Sequence, residues 1–157
     1  MKSKNFSKNE DAVSISVGFM LMFSITVIVF SALIYTFFTV TQINEKTAME
    51  GSFKIIGNEL AAKITIVDII VNTTNSYGGT VNSLEYEFSL PASVASNSYT
   101  MNITNSPFGI IFESDNGART FSPFNISTNI TTSKIYSGAE EYKILYNKSI
   151  NRFYIQE

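Results

Sequence analysis

The sequence predicts an α+β fold in which a long N-terminal hydrophobic helix is followed by a small antiparallel β-sheet or sandwich domain. Three observations support this fold class. No charged residue lies between Asp11 and Glu45, the next segment keeps apolar residues at the helical period, and beyond Asn72 apolar and polar residues alternate as in strands. These changes divide the chain into four predicted segments: 1–11, 12–43, 44–71 and 72–157.

The first segment is a short charged leader that sets the predicted topology. Three lysines precede Glu10 and Asp11 within it. Lysines beside a membrane span favour retention of that end in the cytoplasm, whereas Glu45 and Lys46 beyond the span cancel each other. We therefore expect a single-pass protein of the cell membrane, with a cytoplasmic N-terminus and an extracellular C-terminal domain.

The second segment is long enough to cross a bilayer. A membrane helix needs about 20 predominantly apolar residues, and the uncharged run from Ala12 to Val40 exceeds this. Its scattered Ser, Thr and Gly are compatible with lipid, because a helix satisfies its own backbone and small hydroxyls bond back to it. A buried helix of a soluble domain is the alternative, but such helices are usually shorter and rarely lack charge for so long. The run is also too long for a secretory signal.

The start of this span carries a family resemblance. It reads DAVSISVGFMLM from Asp11 and SITVI from Ser24. This resembles the N-terminus of archaeal type IV pilins, in which a charged leader precedes an AVSPVIGVILM-like start and an ITVI-like continuation. Ser16 and Val17 depart from that pattern, and the resemblance does not extend beyond the N-terminal apolar segment. The residues that fit are Ala12, Val13, Ser14, Gly18, Leu21, Met22 and Ile25 to Ile28.

The resemblance implies both processing and assembly. A prepilin peptidase would recognise the leader as a class III signal peptide and cut between Asp11 and Ala12. The mature helix would then pack with other pilin-like subunits, or with copies of itself, in a type IV pilus-like filament, where the protein would be a major or minor structural subunit. The alternative is a single-pass membrane-anchored surface protein that does not polymerise, such as an adhesin or an accessory component.

Small residues in the apolar helix are candidates for helix packing. Ser14 and Gly18 form a small-xxx-small pair, and Ser24 and Ser31 lie seven residues apart. Small residues let membrane helices approach closely. Alternatively, they are simply tolerated on a helix that faces lipid.

The third segment is predicted to be an amphipathic helix that covers the β domain. Glu50 with Lys54, and Glu59 with Lys63, are i,i+4 pairs in the favourable order. We expect it to continue the membrane helix, with a break at 41–44 as the alternative. Its apolar stripe consists of Met49, Phe53, Ile56, Leu60, Ile64 and Val67.

The fourth segment reads as about seven short strands without intervening helices, which is typical of an antiparallel meander or sandwich. The turn-forming cluster at 72–80 is predicted to end the helix, and Asp115-Asn116-Gly117 is predicted to form a hairpin turn. The predicted strands lie at 84–90, 99–103, 109–113, 119–126, 130–136, 142–146 and 153–155.

Asn-x-Ser/Thr sequons are frequent in the predicted outer domain. Each lies near a predicted turn or strand end, where an N-linked glycan would be solvated. The alternative is that these are ordinary turn asparagines and strand threonines. The candidate acceptors are Asn72, Asn102, Asn125, Asn129 and Asn147, and a further sequon at Asn5 lies in the leader.

Composition argues against enzymatic and nucleic-acid-binding functions. The chain contains neither Cys nor His, which removes thiol nucleophiles, disulfides, the usual zinc sites and imidazole catalysis. A net charge of −2 offers no electrostatic basis for binding nucleic acid. Glu85 and Glu87 share one face of a predicted strand and are expected to form a solvated surface. We expect no catalytic residues, cofactor or metal, and a structural role at the membrane.

Overall fold

The computed structural model describes residues 7–138 and 141–156 and confirms the α+β class. Within these residues a single helix, α1 (Ser7–Ser76), precedes eight strands. The chain divides into two compact units, Met1–Ile43 and Asn44–Glu157, and α1 contributes to both. The strands are β1 (Ser83–Phe88), β2 (Tyr99–Asn105), β3 (Phe108–Ser114), β4 (Arg119–Pro123), β5 (Asn129–Ile130), β6 (Ser133–Tyr136), β7 (Tyr142–Asn147) and β8 (Arg152–Gln156).

The strands form two four-stranded sheets. The first sheet has the order β1-β7-β8-β5, and the second has the order β4-β3-β2-β6. The pairs are antiparallel apart from the two-residue pairing of β5 with β8, which is parallel. The predicted hairpin turn is present between β3 and β4, where Gly117 adopts a φ of 78° and its N–H donates to the carbonyl of Ser114 (2.9 Å).

One hydrophobic core joins both sheets to the second half of α1. Phe53 lies at its centre, with ring centroids 5.3 Å from Tyr99 and 5.5 Å from Phe112 of the second sheet. Burial raises the pKa of Tyr99 to about 12, and its hydroxyl donates to the carbonyl of Pro91 (2.6 Å). In the first sheet, Phe88 stacks on Tyr142. The helix therefore covers the sheets with the predicted stripe.

The stripe differs from the prediction at one position. Met49, Phe53, Leu60, Ile64 and Val67 are fully or almost fully buried, whereas Ile56 is only partly buried. Gly57 instead of Ile56 lies at the interface between α1 and the second sheet, because the helix and the sheet approach too closely there for any side chain. A Cβ at position 57 would lie 2.3 Å from the hydroxyl of Ser122 and 3.3 Å from the ring of Phe112.

The helix also ends later than predicted. Its backbone is helical through 41–44 and continues beyond residue 71 to Ser76. A left-handed glycine terminates it, since Gly78 has a φ of 79° and the N–H of Gly79 donates to the carbonyl of Thr74 (3.0 Å). The polar residues that resemble a turn cluster therefore form the last turns of the helix.

The predicted strands at 119–126 and 130–136 are both shorter in the structure. Alternate residues remain buried from Ser122 to Ile130, which explains the strand-like pattern. The backbone nevertheless leaves the second sheet after Pro123, because a helix side chain replaces the neighbouring strand as hydrogen-bond partner. The buried carboxylate of Asp68 accepts the N–H groups of Ser127 (2.9 Å) and Thr128 (3.0 Å). The chain then joins the first sheet as β5 and returns to the second as β6.

Candidate membrane helix and assembly surface

The first half of α1 carries a continuous apolar surface. Every side chain described from Val13 to Phe38 is exposed. The helix is long and apolar enough to cross a membrane, and none of its most apolar 18-residue window is buried inside the protein. This segment therefore differs from the core helix of a soluble domain, and its length and composition are those of a membrane span.

Six hydroxyl groups between residues 24 and 41 are satisfied within the helix. Each donates to the carbonyl four residues earlier, as Ser24 does to Met20 (2.8 Å) and Ser31 does to Val27 (2.8 Å). Such bonds let a polar side chain remain in lipid without an unsatisfied donor. Packing at Ser24 and Ser31 would therefore depend on their small size. The same bond is made by Thr26, Thr36, Thr39 and Thr41.

The predicted packing residues occupy two faces of the helix. Ser14 and Gly18 lie one turn apart on one face. Ser24 and Ser31 lie on a second face, because the ten residues from Ser14 to Ser24 correspond to roughly 280° of rotation about the helix axis. A Cβ added at Gly18 would meet no atom within 4 Å. Gly18 thus leaves an open notch in the helix surface, and no contact among the described residues requires glycine there.

The predicted leader cleavage site lies at the margin of the described structure. Residues 1–6, including the sequon at Asn5, lie outside the described residues. Asp11 and Ala12 have helical backbones within α1, but their side chains lie outside the described part. Cleavage between them remains a prediction.

The second half of α1 carries an apolar stripe that the sequence analysis missed. We define the outer stripe as Ile55, Ile66, Ile69 and Ile70, which remain 71%, 52%, 56% and 44% exposed, respectively. Ile55 and Ile66 each follow a buried residue, Phe53 and Ile64, by two positions, which places them on the opposite side of the helix. The sequence signal for the outer stripe is a second apolar periodicity in residues 55–70. It occurs in addition to the periodicity that predicts the core-facing stripe. This segment therefore carries exposed isoleucines on the side opposite the buried stripe, with Glu59 between Ile55 and Ile66 on that same side.

The sequon asparagines occupy different environments. Asn125 and Asn129 are exposed, whereas Asn72, Asn102 and Asn147 are partly buried. Asn72 lies within α1 rather than in a turn, and Asn102 lies in the middle of β2 rather than near a strand end. The carboxamide of Asn147 accepts the N–H of Ser149 (2.9 Å) at the end of β7.

The acidic pair on β1 forms a solvated ion network. Lys143 on the neighbouring strand β7 bridges Glu85 and Glu87, with its ammonium 3.0 Å from the Glu87 carboxylate. The hydrogen bond that the Lys143 ammonium donates to the Glu85 carboxylate is the main cause of the raised pKa of Lys143. Because both carboxylates share this lysine on an exposed strand face, they form part of the solvated protein surface. Among the described residues, no cluster of three acidic side chains could hold a metal ion.

Comparison with known proteins identifies the family of this chain. A protein family of unknown function, DUF7266, matches residues 8–149, so the chain belongs to that family. The match includes the apolar segment, the amphipathic segment and β1 to β7. No curated protein and no solved structure matches the chain.

Proposed function

We propose that this DUF7266 protein is a pilin-like structural subunit, major or minor, of an archaeal type IV pilus-like filament at the cell surface. The N-terminal resemblance from Ala12 to Ile28 supports this function. A fully exposed apolar helix followed by a compact β domain also supports it, because such a protein combines an assembly element with a folded outer surface. The role is structural rather than enzymatic.

The outer stripe is the observation that favours assembly over simple anchoring. A non-polymerising anchored protein requires only the apolar span, and the stripe lies beyond that span in the sequence. Leaving one Ile or Leu side chain in water rather than burying it costs about 1.5–3 kcal/mol. Ile55, Ile66 and Ile69 would be covered if neighbouring subunits packed their helices against one another. A single-pass adhesin or accessory component is the alternative, and it would leave these residues in water.

Assembly would exchange lipid contacts for contacts between helices. Cleavage by a prepilin peptidase after Asp11 would remove the lysine-rich leader that holds the helix end at the cytoplasmic face. The span would then leave the membrane as helices pack, with Ser14 and Gly18 permitting close approach. The membrane, the peptidase and other pilin-like subunits or copies of this chain are the proposed partners.

The test compares two isoleucines of similar exposure. Ile66→Gln changes the outer stripe, and Ile150→Gln changes an exposed isoleucine in the turn between β7 and β8. Both variants should reach the membrane in parent amounts. Filaments sheared from cells should contain at least about tenfold less of Ile66→Gln, since tenfold corresponds to about 1.4 kcal/mol. Ile150→Gln should assemble like the parent.

Two results would oppose the proposal. Absence of the parent from sheared filaments, together with a mature N-terminus at Met1 by mass spectrometry, would favour the anchored alternative. Equal filament yields for the two variants would show that the outer stripe is not part of the assembly surface. A mature N-terminus at Ala12 is the expected result.

A further inference from the structure

The outer face of the second sheet contains an apolar groove. The register places Asn102 of β2 opposite Ile111 of β3, and Ile111 opposite Phe121 of β4. This row faces away from the core, since the neighbouring Met101 and Phe112 are fully buried. We define the outer-face groove as the cavity of about 450 Å³ lined by Thr104, Ser106, Pro107, Ile111, Arg119, Thr120 and Phe121.

An aromatic side chain is held in position in this groove. Phe121 remains 44% exposed, yet its ring lies so close to the backbone of Gly109 that a Cβ there would be 2.2 Å from a ring carbon. The glycine therefore lets the ring lie against β3. Together with Ile111 and Pro107, Phe121 gives the groove an apolar surface.

The groove also carries an unused hydrogen-bond donor. Arg119 is exposed, and its guanidinium forms no hydrogen bond or ion pair with any other described residue, although Glu113 lies opposite it on β3. A guanidinium offers five N–H donors and no acceptor. An apolar surface with a few polar groups is the usual composition of a small-ligand site. A sugar ring matches this site, because it has an apolar C–H face and an edge of oxygen acceptors.

The sequon at Asn102 would bring a sugar to this groove. Directly opposed residues on one sheet face have Cβ atoms about 5 Å apart, so Asn102 is next to Ile111. Thr104, the hydroxyl residue of the sequon, lines the groove itself. A covalent tether of this length raises the local concentration of its ligand to about the millimolar range or above. The other sequon asparagines lie at the end of α1, between β4 and β5, in β5 and at the end of β7.

We propose that Asn102 carries an N-linked glycan and that its first sugars lie in the outer-face groove, against Ile111 and Phe121, with Arg119 donating to sugar oxygens. In the modification, the amide nitrogen of Asn102 attacks the anomeric carbon of a lipid-phosphate-linked saccharide. The new N–C bond replaces the bond from that carbon to the phosphate oxygen, the lipid phosphate leaves with the electron pair, and the amide releases a proton. The glycan covers the apolar face and stabilises the fold. This inference requires an extracellular β domain but does not depend on filament assembly.

The experiment compares full-length protein from a host that N-glycosylates sequons with protein from a host that does not. Mass spectrometry of peptides that separate Asn102 from Asn72 should show a glycan on Asn102. The host-dependent difference is the Tm of protein from the glycosylating host minus the Tm of protein from the other host, both measured in the same detergent. A stabilisation of 1 kcal/mol raises Tm by roughly 4–8 °C in a domain of 60–100 residues, so we expect glycosylated parent protein to melt at least about 4 °C higher.

Variants test the groove separately from the glycan. Asn102→Gln and Thr104→Val both remove the sequon and should abolish most of the host-dependent difference. Thr104→Ser retains the sequon and should preserve the difference. Arg119→Gln should reduce the host-dependent difference in Tm, although the Asn102 peptide should keep the mass of the glycan. Asn129→Gln is the matched control, because it removes an exposed sequon in β5 of the first sheet and should leave the difference unchanged.

Three outcomes would overturn the proposal. The first is an unmodified Asn102 peptide in the glycosylating host. The second is a glycan on Asn102 whose loss leaves the host-dependent difference in Tm unchanged. The third is a Tm of the glycosylated parent that rises with protein concentration and loses this dependence in Phe121→Thr, which would assign the groove to a second copy of the chain.

Discussion

The two halves of α1 share one backbone conformation but have opposite surroundings. From Val13 to Phe38 every described side chain is exposed, whereas from Met49 to Val71 one face is buried against the two sheets. Both halves are rich in apolar residues, so hydrophobicity alone does not determine which half packs. The difference lies in periodicity, because the first half is apolar on all sides and the second alternates apolar faces with charged pairs such as Glu59 and Lys63, whose charged groups are 2.8 Å apart.

The glycines of α1 show the same contrast. Gly18 and Gly51 face open space, whereas Gly57 lies against Ser122 and Phe112. Glycine weakens a helix by about 1 kcal/mol relative to alanine, and only at Gly57 does a contact within the chain offset this cost. Packing within the described part of the chain therefore explains the glycine at position 57 but not the one at position 18.

The largest effect should come from truncating a phenylalanine in each half. Phe53→Ala should lower the free energy of unfolding of the β domain by about 3–5 kcal/mol, because it leaves a cavity between Tyr99 and Phe112. Phe30→Ala, which removes an exposed side chain of the apolar half, should change it by less than about 0.5 kcal/mol. Urea denaturation in detergent, followed by tyrosine fluorescence, measures both. Similar losses in the two variants would contradict the division of α1 into a packed and an unpacked half.

A smaller effect should follow from removing the helix carboxylate that holds the β4–β5 connection. Asp68→Ala leaves the N–H groups of Ser127 and Thr128 without an acceptor, and each such loss costs about 1–3 kcal/mol. We expect a total loss of about 3 kcal/mol and faster hydrogen exchange at these two amides. Glu59→Ala is the matched control on an exposed face and should cost no more than about 0.5 kcal/mol. Unchanged exchange at both amides would show that Asp68 does not hold this connection.

The smallest effects should come from the glycines, and they should differ in sign. Gly57→Ala introduces a Cβ 2.3 Å from the Ser122 hydroxyl. It should lower the free energy of unfolding by about 1–2 kcal/mol, since overpacking outweighs the gain in helix propensity. Gly51→Ala meets no atom and should stabilise the helix by about 1 kcal/mol. Tm measurements on the two variants make the comparison. A stabilising Gly57→Ala would mean that α1 and the second sheet are less closely packed than the structure indicates.

Periodicity and turn chemistry predicted much of the fold. The buried stripe of α1 was predicted apart from Ile56, and the alternation of Tyr99, Met101 and Ile103 in β2 indicates which side chains of that strand face the core. The hairpin at Asp115-Asn116-Gly117 was predicted because glycine readily takes positive φ. The strand between 119 and 126 was predicted too long, because alternation reports which side chains are buried and not which group accepts the backbone N–H.

Less of the candidate assembly surface could be predicted. The small-xxx-small spacing of Ser14 and Gly18 made them candidates for helix packing, and both are exposed as a packing face requires. The outer stripe was missed because a single buried periodicity had already explained the amphipathic segment. The outer-face groove combines residues from β2, β3 and β4 with the β2–β3 turn, so its composition depends on strand order and register.

Local sequence patterns were sufficient to predict the apolar span, the covering helix and the β-rich character of the remaining chain. These features depend on local composition and on periods of 3.6 and two residues, which the chain carries without reference to distant residues. Three features could not be predicted from such patterns: Gly57 replaces Ile56 at the interface of α1 with the second sheet, Asp68 holds the β4–β5 connection, and the strands divide between two sheets. The physical reason is that each depends on the distance between residues far apart in the chain, which is set by packing the whole core.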